Sequence, residues 1–122
     1  MARYLKQRDL EWMGDSQDNI RSFPKDVTYK IGVALRAAQD GNTHQRAKPF
    51  KGVGSGVFEI VANSRDGTYR AVYAVKIGEK IYVLHAFQKK SKKGIKTPQR
   101  EIDLINSRYQ EAVETERRSN QK

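Results

Sequence analysis

The chain has 122 residues and carries 24 Lys and Arg against 14 Asp and Glu, a formal net charge of +10. That length supports a single domain around one core and excludes a multidomain reading, and a charge of that sign makes polyanions, nucleic acid first, the expected partners. There is no cysteine, which excludes disulfides, thiolate metal sites, iron–sulfur clusters and a Cys nucleophile.

In chain order, Leu10-Glu11-Trp12-Met13 reads as a short strand, and Asp15 and Ser16 open a short helix to about Phe23. Pro24 sits where a second helix begins, because its missing N–H costs nothing in a first turn, and Asp26 there complements the helix dipole. Val27, Ile31, Ala34, Leu35 and Ala38 recur at helical spacing as one buried stripe, which Gly41-Asn42 ends. The breakers Pro49, Gly52, Gly54 and Gly56 predict irregular chain over residues 41–56. Within it, Gly52-Val53-Gly54-Ser55-Gly56 lacks the Lys-Ser/Thr and the following helix of a phosphate loop, and reads as a flexible turn.

Three strand candidates follow, over residues 57–63, 68–77 and 80–87, joined by connections too short for a parallel return. Alternation puts Tyr69, Ala71, Tyr73 and Val75 on one face, and Arg70, Val72, Ala74 and Lys76 on the other. With Gly78-Glu79 as a two-residue turn, Arg70 falls opposite Phe87 and Val72 opposite His85. After a loop over residues 88–97, Pro98 opens a last helix whose apolar side is Ile102, Ile105, Tyr109, Ala112 and Val113. The expectation is one α+β domain over residues 1–122, with a core at about 10–114 and a polar tail at 115–122. Its order, β-α-α-β-β-β-α, describes a small antiparallel sheet with an N-terminal helical hairpin and a C-terminal helix. Helices on one face would leave the other open to a ligand.

That open face would gather Arg70, His85 and Phe87. Seven basic residues (Lys80, Lys89, Lys90, Lys92, Lys93, Lys96 and Arg100) and no acidic one occupy residues 80–100, and a second acid-free stretch, residues 41–58, carries His44, Arg46, Lys48 and Lys51. Converging on Arg70, the two would form a groove suited to a phosphodiester backbone. Lys92, Lys93 and Lys96 are then candidate phosphate contacts, and Phe87 a surface on which a nucleotide stacks. His85, as the residue type whose ordinary pKa lies nearest neutrality, is a candidate general base, against the alternative of a structural histidine; Arg70 has the alternative of an ion pair with Glu59. No metal or cofactor is expected, since His44 and His85 are too far apart for a local metal motif. With no stretch near the ~20 apolar residues of a membrane span and no signal-peptide core in residues 1–9, a cytoplasmic protein without a membrane partner is expected.

The run Tyr82-Val83-Leu84-His85-Ala86-Phe87-Gln88-Lys89-Lys90-Ser91-Lys92-Lys93-Gly94-Ile95-Lys96-Thr97-Pro98 resembles the phage-derived, HigB-like branch of the RelE/ParE superfamily of bacterial toxins. Arg21-Ser22-Phe23-Pro24-Lys25-Asp26-Val27, Lys48-Pro49-Phe50-Lys51-Gly52 and Gly67-Thr68-Tyr69-Arg70-Ala71-Val72-Tyr73 add to the resemblance, which covers about residues 14–112. It implies a RelE-like fold and the toxin of a type II toxin–antitoxin system. The implied activity is that of an mRNA interferase, a metal-independent endoribonuclease acting in the ribosome, where the RNA's own 2′-hydroxyl attacks the adjacent phosphate. By the same resemblance Arg70 is the phosphate-stabilising arginine, Lys51 and Lys48 the lysines of the preceding loop, and Lys89 and Lys90 the terminal basic pair. The implied partners are the ribosome, mRNA and a cognate antitoxin with a DNA-binding domain. Several superfamily members place a catalytic Tyr or His near the C-terminus, whereas the last helix here carries only Tyr109. Two other functions stay open on the sequence: a basic nucleic-acid-binding module without catalysis, and a toxin of the same fold acting on a protein such as gyrase.

Overall fold

Two prolines set the starts of the long helices. The carbonyl of Pro24 accepts hydrogen bonds from the amides of Val27 and Thr28 (both 2.9 Å), and that of Pro98 from Glu101 and Ile102 (3.0 and 3.2 Å). A residue with fixed φ and no N–H thus stands where the helix needs only a carbonyl acceptor. The computed structural model describes residues 7–89 and 96–120. Its elements are β1 (Leu10–Trp12), α1 (Ser16–Ser22), α2 (Lys25–Gln39), β2 (Ala47–Pro49), β3 (Val57–Ser64), β4 (Gly67–Ala74), β5 (Ile81–Lys89) and α3 (Gln99–Ser119).

The strands form one sheet in the order β1-β5-β4-β3-β2. The α+β class and the element order match the sequence expectation, with three refinements. β1 pairs parallel to β5, so the sheet is mixed rather than purely antiparallel. The segment expected to be irregular contains β2, an edge strand of three residues; Pro49 is tolerated there because an edge needs no second donor. The residues expected as a tail from 115 continue α3 to Ser119, and the Tyr82 hydroxyl donates to Glu116 Oε2 at 2.6 Å.

Both faces of the sheet are packed. The α2 stripe Val27, Ile31, Ala34, Leu35 and Ala38 is buried against Ile60, Ala62, Tyr69, Ala71, Tyr73 and Val83. On the other face Ile105 and Ala112 of α3 meet Val57, Val72, Ala74, Tyr82 and Leu84. The expectation of an open face is therefore corrected. The apolar stripe of α3 and the second face of β4 and β5 each need a partner, and they bury one another.

The β4–β5 connection also differs from a two-residue turn. It spans residues 75–80, and the Arg8 guanidinium holds it by donating to the carbonyls of Val75 (2.6 Å), Glu79 (2.9 Å) and Lys80 (3.1 Å). Tyr73 pairs with Val83, whereas Val72 pairs with His85, leaving Leu84 as the extra residue of a bulge. The bulge restores the expected pairs Arg70↔Phe87 and Val72↔His85, and it turns His85 to the same face as Leu84.

The docking of α3 predicts that Ile105→Ala, at a fully buried site, costs roughly 2–5 kcal/mol in denaturant unfolding. Val113→Ala, on the exposed side of the same helix, should stay within about 0.5 kcal/mol. Equal, small costs would mean that α3 is not packed on the sheet.

Candidate active site

Four neighbouring strands bring four charged side chains to the α3 face: Lys48 of β2, Glu59 of β3, Arg70 of β4 and Lys89 of β5. α3 runs antiparallel to β5, from Glu101 at His85 to Glu116 at Tyr82, so Lys89 lies beyond its first turn. Arg70 Nη1 donates to Glu59 Oε2 at 2.8 Å, and Lys48 Nζ lies 3.8 Å from Glu59 Oε1. Arg70, Glu59 and Lys89 are all buried, at 8%, 6% and 7% exposure, while Lys48 reaches in from solvent. A single carboxylate thus answers three cations.

The imbalance leaves polar atoms without partners. Among the described residues, neither Lys89 Nζ nor Arg70 Nε has a hydrogen bond, although both atoms are buried. Leaving a buried donor unpaired typically costs ~1–3 kcal/mol, more when it is charged, so an arrangement with two of them calls for an anion. Burial pulls the Lys89 amine below the usual lysine range, with the nearby charges of Arg70 and Lys48 acting in the same direction and Glu59 opposing them. Such an amine gives up its proton more readily than an exposed lysine and can act as a base, while the Arg70 fork can hold a phosphate oxygen. Among the described residues no three His, Asp or Glu side chains gather to hold a metal ion.

His85 and Phe87 share the face of Arg70, as expected, but that face is not open. Both are buried beneath α3, and their rings stack at 5.1 Å. Arg108 can only donate, so its contact from Nη1 to His85 Nδ1 (3.2 Å) assigns the ring proton to Nε2, which donates to Glu101 at 2.7 Å. Arg108 also donates to the carbonyl of Leu84 (3.0 Å) and to Asp15 Oδ1 (2.9 Å), and this last bond holds the Asp15 carboxyl below its ordinary range. The imidazole is therefore committed at both nitrogens to fastening α3 over the bulge. Phe87 has no open ring face for a nucleotide, because the side of the sheet that was expected to be free is covered.

The two acid-free stretches meet only in part. Lys48 joins Arg70 through Glu59, whereas Lys51 stands exposed on the turn after β2, on the wall of a separate groove shared with Ser55 and Lys76. Lys96 is exposed ahead of α3, and Lys90, Lys92 and Lys93 lie outside the described residues. Glu59, weighed on sequence only as an ion-pair partner, is the centre of the cluster. A signal for it existed, since it is the one acidic residue between Asp40 and Asp66.

A five-stranded sheet between two N-terminal helices and a C-terminal helix is the α+β arrangement of RelE-like proteins. Residues 18–110, most of the chain, match the family model described as Phage derived protein Gp49-like (DUF891). The chain belongs to that family, a RelE-like family of toxin type. A search of curated proteins found no match.

The unpaired amine makes a testable statement about stability. Because Lys89 binds its proton less tightly folded than unfolded, the unfolded chain carries more protons between the folded pKa and the ordinary lysine value, and stability rises with pH through that window. Lys89→Met should therefore stabilise the fold at neutral pH by an amount of the order of 1 kcal/mol, and the advantage should shrink as pH rises toward 10. Denaturant unfolding of both proteins at several pH values checks this; a destabilised variant at neutral pH would show that Lys89 is satisfied where it lies.

Proposed function

We propose that the protein is the toxin of a type II toxin–antitoxin pair in the HigB-like branch, acting in the cytoplasm as a ribosome-dependent endoribonuclease that needs no metal. The observation that carries this reading is the pair of buried, unpartnered donors, Arg70 Nε and Lys89 Nζ, on diagonally neighbouring residues of adjacent strands in a family of toxin type. A protein-directed toxin needs no phosphate-binding centre of this kind.

In the proposed reaction the Lys89 amine, once it has given up its own proton, accepts that of the 2′-hydroxyl. The 2′-oxygen then bonds to the adjacent phosphorus, and Arg70 holds the charge that develops on the phosphorane oxygens. The bond from phosphorus to the 5′-oxygen then breaks, and the 5′-oxygen takes a proton from solvent, giving a 2′,3′-cyclic phosphate and a 5′-hydroxyl. Glu59 fixes one arm of Arg70 so that its Nε edge faces the phosphate. Lys48, Lys96 and the lysines at 90, 92 and 93 serve as phosphate contacts to mRNA and rRNA. A protein of net charge +10 is silenced most directly by an acidic or amphipathic antitoxin.

Single-turnover cleavage on saturating ribosomes tests the assignment. Arg70→Ala should slow cleavage by roughly 10²-fold or more, with ribosome binding nearly unchanged, as loss of one preorganised charge-stabilising donor does. Arg70→Lys should restore little, because the fork is lost. Cleavage at the parent rate by Arg70→Ala, or abolition of cleavage by EDTA on competent ribosomes, would overturn the mechanism.

A further inference from the structure

We infer that the groove between the end of α2 and the β2–β3 turn is a second ligand site, separate from the Arg70–Lys89 cluster, and that it takes a nucleoside phosphate. The groove has a volume of roughly 430 Å³, within the range of about 300–1,000 Å³ common for small-molecule sites. Its apolar wall includes Pro49 and the half-buried ring of Phe58, which is itself stacked on Tyr73 at 5.6 Å. Three cations line it: Arg8, whose guanidinium is committed to the carbonyls of Val75, Glu79 and Lys80, and Lys51 and Lys76 on the rim, with the Ser55 hydroxyl accepting from Lys76 Nζ at 3.2 Å. Among the described residues no acidic side chain lines it, which sets it apart from the neutralising ion pairs elsewhere on the surface.

The glycine turn that reads as flexible on sequence is anchored. A side chain at Gly54 would collide with the Tyr109 ring of α3, and Gly56 takes the left-handed region (φ 75°) with Lys76 packed against it. The turn that carries Lys51 and Ser55 is thereby held in place by packing against α3 and Lys76. The opposite wall is the C-terminal end of α2 with Asn42 and Thr43. The carbonyls of residues 36–39 are already taken by backbone amides, so the hydrogen-bonding groups this wall offers a nucleobase are those of Asn42 and Thr43. The groove is therefore polarised: anion at Lys51, Ser55 and Lys76, planar base toward Phe58 and α2. A simple phosphate would use only the rim, and an uncharged base only the wall.

The same chemistry is offered by a free nucleotide and by one residue of an RNA strand, and the inference does not depend on the nuclease reading. Backbone-amide NMR of the full chain, titrated separately with AMP, adenosine, inorganic phosphate and a 2′-O-methyl triadenylate, tests it. AMP or the trinucleotide should shift the amides of residues 51–56 and 76 saturably, and adenosine and phosphate should each bind about tenfold or more weaker. Saturation by AMP identifies a free-nucleotide site, and saturation by the trinucleotide alone a strand site. Lys51→Glu with Lys76→Glu should weaken the effective ligand at least about tenfold while amides of α2 and β4 stay in place. No saturable shift with either ligand, equal binding of phosphate alone, or shifts centred on Arg70 and Lys89 would overturn the inference.

Discussion

Glu59 carries the electrostatic balance of this protein. It is the one carboxylate in a buried row that crosses β3, β4 and β5 and is reached by Lys48 from β2, and it can satisfy one arm of Arg70 but not Lys89 as well. Everything else about the row follows from that shortage. Arg70 is oriented from one side and left with its Nε unpaired, and Lys89 is desolvated beside two like charges, which pulls its amine down. A fold optimised only for stability would place an apolar residue at position 89, since an unpaired buried cation is among the costlier things a core can hold. Retaining it makes sense if an incoming anion supplies the missing partner.

The site exists because α3 stops short of it. The helix is fastened at one end by Tyr82 and Glu116 and at the other by His85, Glu101 and Arg108, with Ile105 and Ala112 buried between. The bulge at Leu84 makes this possible by turning His85 toward α3 while leaving Arg70 opposite Phe87. Asp15 at the start of α1 receives the second arm of Arg108, so the first helix, the bulge and the last helix share one hydrogen-bonded junction. Beyond that junction the sheet continues to Lys89, and the charged row lies there.

Much of the fold was legible because its signals are local. The α2 stripe at Val27, Ile31, Ala34, Leu35 and Ala38 is buried residue for residue, and the two alternating sets on β4 fall on opposite faces as their spacing requires. The covering of the second face was harder to see, since Arg70 and Lys76 bracket Val72 and Ala74 and make that side of β4 look solvated. The neighbouring run from Ile81 to Phe87 held the answer, because a strand with no polar alternation except His85 is buried on both faces. The bulge and β2 left no such trace: one depends on how a six-residue turn closes under Arg8, the other on three edge residues that pair only once β3 is in place. Within the charged row, position, sign and the Arg70–Glu59 ion pair were readable from sequence, but the shortage left at Lys89 was not. Which cation Glu59 satisfies is decided by cross-strand geometry, and His85, chosen for its intrinsic pKa, proved to be held at both nitrogens.

Lys89 is a buried cation short of a partner and perturbed by Arg70. Direct NMR titration of the lysine side chains, with Lys89 assigned by comparison with Lys89→Met, measures this most plainly. Lys89 should titrate below the other lysines and below the usual value near 10.4, and its midpoint should move up when Arg70 is replaced by Gln. A Lys89 that titrates with the surface lysines, or that is unmoved by Arg70→Gln, would contradict the account.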